Sequence, residues 1–378
     1  MADQSQDDRA FFADQPLRDD DELITLHEAR FVGQIQQWKQ YETLADLRAA
    51  VLSFRADLMQ SMAVPPAMPP VPPHEDLLSL SRSYLFGELD QISEALTLER
   101  ANYYLDRLLK GVTHIRTNQV NDINLNRWKT YEDIQTDSLW LVDRRDGSGV
   151  HTAGYWGNFI PQIPNQMIRR YTKRGEWVLD TFAGSGTTLI EGQRLGRNTL
   201  GIELQPRMVE HAKGLVAAEP NPYRVTIDVV QGNCAVIDYR ELLERYQQSS
   251  VQLVIMHPPY FDIIKFSDDP ADMSNAESVD HFLAMIAQAV EQVAAVLDKG
   301  RYLVLVIGDK YSRGDWIPLG FQAMNVVLQY GFSLKSIVVK NFEETSGKRA
   351  QKELWRYRAL VGGFYIFKHE YIFLFRKK

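Results

Sequence analysis

The segment Trp177-Val-Leu-Asp180-Thr-Phe-Ala-Gly184-Ser-Gly186-Thr-Thr188 decides how this chain reads. Its first residues are a short apolar strand. The glycines that follow permit positive φ and let a ligand approach the backbone closely. Thr187–Leu195 then has helical spacing and stops at Gly196, a glycine C-cap. A strand that passes through a glycine turn into a helix forms a cofactor cradle at the carboxyl end of a parallel strand. Glu203 ends the next apolar stretch, nineteen residues after Gly184, where a carboxylate can take ribose hydroxyls. A dinucleotide fingerprint fits less well, because Leu189 stands where its third glycine belongs. A phosphate loop also fits less well, because no lysine follows Gly186. The plain alternative is a tight turn with a buried glutamate. It is narrowed by Glu203 at that spacing and by Asn233 at the end of a third strand.

Working outward, strands are expected at 177–182, 199–203, 225–230, 251–256, 302–307, 334–339 and 371–375. Helices fit between them, including His281–Leu297, which ends near Gly300. Short apolar strands alternating with helices imply an α/β fold with a mostly parallel sheet covered on both faces. Upstream, residues 1–22 read as a disordered acidic tail. Residues 23–62 and Glu75 to about Lys110 carry helical periodicity, with no internal repeat, and a proline-rich connector, 64–73, lies between them. The expected domains are therefore a helical N-terminal region, 23–125, and a catalytic domain, 126–378.

A second motif lies about seventy residues after the first. The apolar strand Val251–Met256 runs into His257-Pro258-Pro259-Tyr260. Paired prolines fix φ and remove two N–H donors, which leaves carbonyls free to accept from a ligand. Tyr260 offers a flat face for a base. Alone, Pro-Pro-Tyr reads as a rigid turn or a polyproline ligand. Behind an apolar strand and downstream of a cofactor turn, it reads as the tip of an active site.

Together these motifs resemble the S-adenosylmethionine-dependent DNA amino-methyltransferases, which methylate adenine N6 or cytosine N4. Phe182-Ala-Gly-Ser-Gly-Thr-Thr188 resembles their first motif, Leu200-Gly-Ile-Glu203 the second and Gln231-Gly-Asn-Cys234 the third. Gly157-Asn-Phe-Ile-Pro161-Gln-Ile-Pro164 resembles the segment folded over the methionine part of the cofactor. The resemblance implies a Rossmann-like seven-stranded methyltransferase sheet with S-adenosyl-L-methionine as cofactor. The implied cofactor-binding residues are Phe159, Pro161, Asp180, Phe182, Ala183, Gly184, Gly186, Thr187, Thr188, Glu203, Leu204, Asn233 and Cys234. The implied catalytic residues are His257, Pro258, Pro259 and Tyr260. In this scheme the target amine gives its N–H hydrogens to the first side chain and to the Pro258 carbonyl, then attacks the methyl group directly. The base is swung out of the duplex or is already single-stranded. The family has Asp, Asn or Ser where this chain has His257. A neutral imidazole accepts through one nitrogen, and only in the right tautomer.

Composition sets further bounds. The 378 residues are 45% apolar and 24% charged, with net charge −7, so any nucleic-acid contact comes from local positive patches. One such patch holds Lys340, Lys348, Arg349, Lys352, Arg356, Arg358 and Lys368 among aromatic residues, with Lys265 near the Pro-Pro-Tyr tip. Asn124–Tyr131 is a further contact segment or a clamp. Ile307-Gly-Asp-Lys310 and His369-Glu-Tyr-Ile-Phe-Leu-Phe375 resemble later family blocks, with Asp309 in a structural role. The single cysteine excludes an internal disulfide, no apolar run reaches about 18 residues, and no metal is expected. The expectation is a cytoplasmic enzyme of the restriction-modification type that acts on DNA without membrane or metal. A homodimer or an added specificity subunit is compatible. The alternatives are an RNA base amino-methyltransferase and a cofactor-binding recognition subunit without catalysis.

Overall fold

The structure is a computed structural model that describes residues 23–63, 77–151, 157–312, 314–342 and 352–378. The expected acidic tail, the proline connector, Lys348 and Arg349 lie outside these residues. The chain divides into two compact units. The first contains residues up to Thr117 together with Asn124–Glu132. The second contains Asn118–Ile123 and Asp133–Lys378. The segment Asn124–Tyr131 thus belongs to the first unit, where Lys129 bonds the buried Glu88 at 3.0 Å and Arg107 meets the same carboxylate at 2.6 Å.

The first unit is not wholly helical. It opens with strand β1 (Leu23–His27), followed by helices α1 (Glu28–Trp38) and α2 (Leu44–Ala63). Strand β2 (Leu77–Ser81) then leads to α3 (Arg82–Ser93) and α4 (Leu98–Thr113). The two halves are copies offset by 54 residues: β1 maps onto β2 without a gap, and the helix starts Glu28 and Leu44 map onto Arg82 and Leu98. The expectation of no internal repeat is therefore overturned. Few residues are identical, Gly33/Gly87 and Thr43/Thr97 among them, but the core repeats. Ile24/Leu78, Phe31/Leu85, Ile35/Leu89, Trp38/Ile92, Val51/Leu105 and Leu58/Val112 are buried in both copies. The strands pair antiparallel, with Thr25 opposite Ser79, so a pseudo-twofold axis passes between those equivalent residues. Across the copies α1 packs on α4 and α2 on α3, while α3 also packs on α4 within the second copy.

The second unit holds an eight-stranded sheet. Its strands are β3 (Leu139–Trp140), β4 (Trp177–Asp180), β5 (Asn198–Glu203), β6 (Ile227–Gln231), β7 (Val251–Met256), β8 (Leu297–Ile307), β11 (Phe332–Asn341) and β12 (His369–Lys377). A small hairpin, β9 (Lys310–Ser312) and β10 (Asp315–Ile317), stands apart. The sheet order is β3-β11-β12-β8-β7-β4-β5-β6. It has one strand more than the expected seven, because Leu139–Trp140 adds in parallel to β11. All pairs are parallel except the two made by β12, which runs antiparallel between β11 and β8.

Both faces of the sheet are buried, and alternate residues divide between them. Val178, Leu253, Ile255 and Val304 pack with α5 (Gln162–Tyr171). Leu179, Val254, Met256 and Leu303 pack with α9 (Val279–Val296) and α10 (Leu319–Leu328). Helices α6 (Thr187–Leu195), α7 (Pro206–Ala218) and α8 (Tyr239–Glu244) complete the cover. Helix α9 has the length and mean hydropathy of a membrane span, although Asp280, His281, Gln288, Glu291 and Gln292 interrupt its apolar residues. It instead seats Phe282, Ile286, Ala289, Val290 and Val293 in the core. Helix α9 also ends before Gly300, which lies inside β8 at positive φ. Helix α11 (Lys352–Gly362) precedes β12.

Candidate active site

The order of strands creates the site. The chain leaves β4 for β5 and β6 on one side, then returns to place β7 on the other. The carboxyl ends of β4 and β7 therefore diverge, and a crevice opens at this switch point. A cavity of about 810 Å³ occupies it and extends from the glycine turn to the Pro-Pro-Tyr tip.

On the cofactor side, Gly186 caps α6 at φ 84° and Gly184 turns at φ 51°. Glu203 reaches under this turn. One carboxylate oxygen accepts the Gly184 N–H and the other the Gln205 N–H, both at 2.9 Å. Burial raises the Glu203 pKa, against the lowering effect of these two N–H groups. Gly201 lets the turn close, since a Cβ there would meet Ala183 at 2.8 Å. Asn233 accepts the Ala235 N–H at 2.9 Å, which fixes the third strand end. Phe159, Phe182, Ala183, Gly184, Thr187, Glu203, Leu204, Asn233 and Cys234 all line the cavity. Pro161, Asp180, Gly186 and Thr188 do not. Pro161 is the N-cap of α5, and Gly186 and Thr188 belong to the start of α6. Asp180 is buried beneath the turn, where it accepts the Phe182 N–H at 2.9 Å and burial lifts its pKa to about 6.

On the other side, His257, Pro258, Pro259 and Tyr260 line the cavity together. The Phe159 ring meets His257 edge-on at 4.7 Å. Tyr260 is not simply a flat platform. Its ring packs against Gly308, where a Cβ would lie 2.9 Å from it. Its hydroxyl donates to Glu370 at 2.7 Å and lies 3.1 Å from His257 Nε2. The other Glu370 oxygen accepts from Lys340 Nζ at 2.9 Å. Lys340 is therefore buried in an ion pair and is not part of a surface patch.

These partners assign the protons. Burial works against ionisation of Glu370, but the Lys340 ammonium and the other partners lower its pKa overall, so both oxygens are acceptors. The Tyr260 proton then points at Glu370, and the Tyr260 oxygen accepts from His257 Nε2–H. Nδ1 is left as the acceptor of the imidazole. Burial pushes His257 down to about 4, well below the ordinary histidine value near 6.5. The ring is neutral at physiological pH.

The remaining expected contacts are scattered. Lys265 pairs with Asp268 at 2.5 Å on the surface and does not line the cavity. Arg356 is exposed on α11. Asp309 lines the cavity but is occupied by Trp316 Nε1, the Gly320 N–H and the Tyr371 hydroxyl, a bracing role. Sequence reasoning missed Glu370 and Gly308 and placed Lys340 in the basic patch instead of this network. The available signal was a lone carboxylate inside the apolar strand His369-Glu-Tyr-Ile-Phe-Leu-Phe375.

Residues 100–214 match the family model described as DNA methylase. The matched stretch contains the glycine turn and Glu203 and stops before His257. Type II methyltransferase M.BglI of Bacillus subtilis is 40% identical over 90 residues, 24% of each chain. M.MjaII of Methanocaldococcus jannaschii is 40% identical over 58 residues, 15% of this chain and 11% of that one. M2.DpnII of Streptococcus pneumoniae is 30% identical over 106 residues, 26% of this chain and 40% of its own. The matches thus span less than half the length of these relatives. Through residues 100–214 the chain is similar to the family described as DNA methylase.

Proposed function

We propose that this chain transfers a methyl group from S-adenosylmethionine to the exocyclic amine of a DNA base, adenine N6 or cytosine N4, as a modification enzyme. The supporting observation is that a single cavity joins the Glu203 cradle to the His257–Tyr260 tip. The cradle suits the cofactor: a glycine turn allows close approach, and a buried carboxylate stands at the next strand end. When bound, the cofactor supplies a sulfonium methyl group.

The chain's residues do the positioning. His257 Nδ1 and the Pro258 carbonyl accept the two N–H hydrogens of the amine, which turns its lone pair toward the methyl carbon. Glu203 and the Gly184 turn would hold the cofactor, which would supply its methyl to the amine nitrogen by direct displacement at the sulfonium, and the amine would then release one proton to solvent. A histidine held near 4 is a poor proton sink at neutral pH, so His257 orients the amine and does not deprotonate it. Phe159 and Phe182 help keep water from the transfer.

The test is incubation of the full chain with methyl-labelled cofactor and duplex DNA, single-stranded DNA or RNA, followed by nucleoside mass spectrometry. Label on N6-methyladenine or N4-methylcytosine in DNA is the expected result. Label in RNA alone would move the substrate, and label in none would refute the reading.

A further inference from the structure

We propose that Asp272 sets the choice of ligand at the cofactor side of the cavity: its carboxylate favours the sulfonium methyl donor over the neutral-sulfur product. This rests on the cofactor half of the reading above and not on the identity of the base.

The loop that follows the Pro-Pro-Tyr tip brings Asp272 to the cavity. Phe261 and Met273 fix its two ends in the core. Phe261 turns the chain at φ 54°, a left-handed value that bulky residues rarely adopt. Between these ends, Phe266 closes against Gly157, where a Cβ would lie 2.7 Å from its ring. Gly157 opens the segment that also supplies Phe159. Phe266 and Asp272 line the cavity together with Phe159 and Glu203. Burial is the main cause that raises the Glu203 pKa, and the charges of Asp180 and Asp272 add to it, so Asp272 lies within electrostatic reach of the cradle.

Asp272 is 5% exposed and its carboxylate is fixed. One oxygen accepts the Ser274 N–H at 2.9 Å and the other the Ser267 hydroxyl at 2.7 Å. Both oxygens act as acceptors, as in an ionised carboxylate, and each keeps a lone pair to spare. The Ser274 bond caps the short turn Met273–Asn275. A cap needs one acceptor, which asparagine supplies as well as aspartate, so the cap alone does not call for a buried charge. Burying a charge costs stability unless it is paired. Lys340 is the only lysine or arginine among the described residues that line the cavity, and it is bound to Glu370. A cationic ligand supplies the missing partner. Methyl transfer leaves the bonding electron pair on sulfur and removes that positive charge, while the adenosine and amino-acid parts stay the same. Asp272 therefore attracts the sulfur before transfer and gains nothing from it afterwards.

The test is calorimetry and stopped-flow dissociation of the full chain with S-adenosylmethionine and with S-adenosylhomocysteine, without nucleic acid. Asp272→Asn keeps the cap acceptor and removes the charge. It should weaken S-adenosylmethionine roughly tenfold and leave S-adenosylhomocysteine within about twofold. Asp272→Ser, a second neutral cap, should change the ratio of the two affinities in the same direction. Ser267→Ala removes one bond to the carboxylate but keeps its charge, so it should lower the denaturant midpoint of the unliganded protein and leave the ratio as in the wild type. An unchanged ratio in both Asp272 variants, whether the two affinities fall together or neither moves, would make Asp272 a cap of the loop and overturn the proposal, with the methyl-transfer reading left standing. Binding of neither ligand by the wild type would sink that reading as well.

Discussion

Glu370→Gln should reverse the imidazole of His257 without touching it. Lys340 holds one oxygen of Glu370 at 2.9 Å, and its ammonium can only donate. In the variant, Lys340 therefore selects the amide oxygen, and the NH2 group faces the Tyr260 hydroxyl. That hydroxyl must now accept, so its own proton turns to His257 Nε2. The imidazole proton moves to Nδ1, and the amine of the target base meets a donor where it needs an acceptor. One net hydrogen bond is lost, about 0.5–1.5 kcal/mol, and an opposed donor pair is left, about 1–3 kcal/mol. Together they remove roughly 2–4 kcal/mol from the transition state, a rate loss of about 30- to 1,000-fold. Weakening of a buried ion pair will also lower stability, so rates belong well below the melting temperature. The assay is single-turnover methyl transfer at saturating DNA and cofactor, paired with nitrogen-15 spectra of labelled histidine. A variant that keeps the wild-type rate and keeps its proton on Nε2 would refute the chain of donors.

Four further outcomes follow from the geometry. Glu203→Gln sets an amide donor against one of two backbone N–H groups, so S-adenosylmethionine should bind about 1.5–3 kcal/mol more weakly by calorimetry; equal affinity with the fold intact would detach Glu203 from the cofactor. Burial raises Asp180 from 3.8 to about 6, so the folded state favours its protonated form, and its contribution to stability is full below about 3.8 and lost as pH rises through about 6. Asp180→Asn should therefore melt higher than wild type at neutral pH, by up to about 3 kcal/mol, with the gap closing as pH falls below 6; a gap independent of pH would contradict this. With His257 held near 4, the loss of methyl transfer that this ring causes should appear only as pH falls through about 4, whereas a midpoint near 6.5 that disappears in His257→Asn would show a solvated ring. Gly308→Ala would set a Cβ 2.9 Å from the Tyr260 ring, so the ring should shift, at about 1–3 kcal/mol of stability and with slower transfer; a crystal structure of the variant with Tyr260 unmoved would remove Gly308 from the site.

The second unit was legible because its strands are short apolar runs and its turns carry glycine or proline at the places the backbone requires. Its glycine turn and its Pro-Pro-Tyr tip are each continuous in sequence, so motif spacing found both. The His257–Tyr260–Glu370–Lys340 network was not legible, because it depends on which strands become neighbours, and no local pattern encodes that. The first unit misled for a different reason. Leu23 and Leu26, read with Ala29 and Phe31, satisfy a helical period, yet Leu23–His27 is a strand with Ile24 inward and Leu23 and Thr25 outward. Five residues are too few for periodicity to separate helix from strand. The signal that could have decided it was the 54-residue offset, which repeats the buried positions while conserving little identity.

The two halves of the active site differ in how much chain must be gathered to build them. The cradle is made by β4, β5 and β6, three strands consecutive in sequence and paired side by side. The bond from Tyr260 to Glu370 joins residues 110 apart, and it forms only after β12 has slipped between β8 and β11. Closing a longer loop costs more entropy, so contacts of short separation can form first. Refolding followed by pulsed hydrogen exchange should then protect β4–β6 before β12. During that interval the proposed cofactor cradle would already be built while the proposed amine-orienting tip would not, so the site would mature from storage toward chemistry.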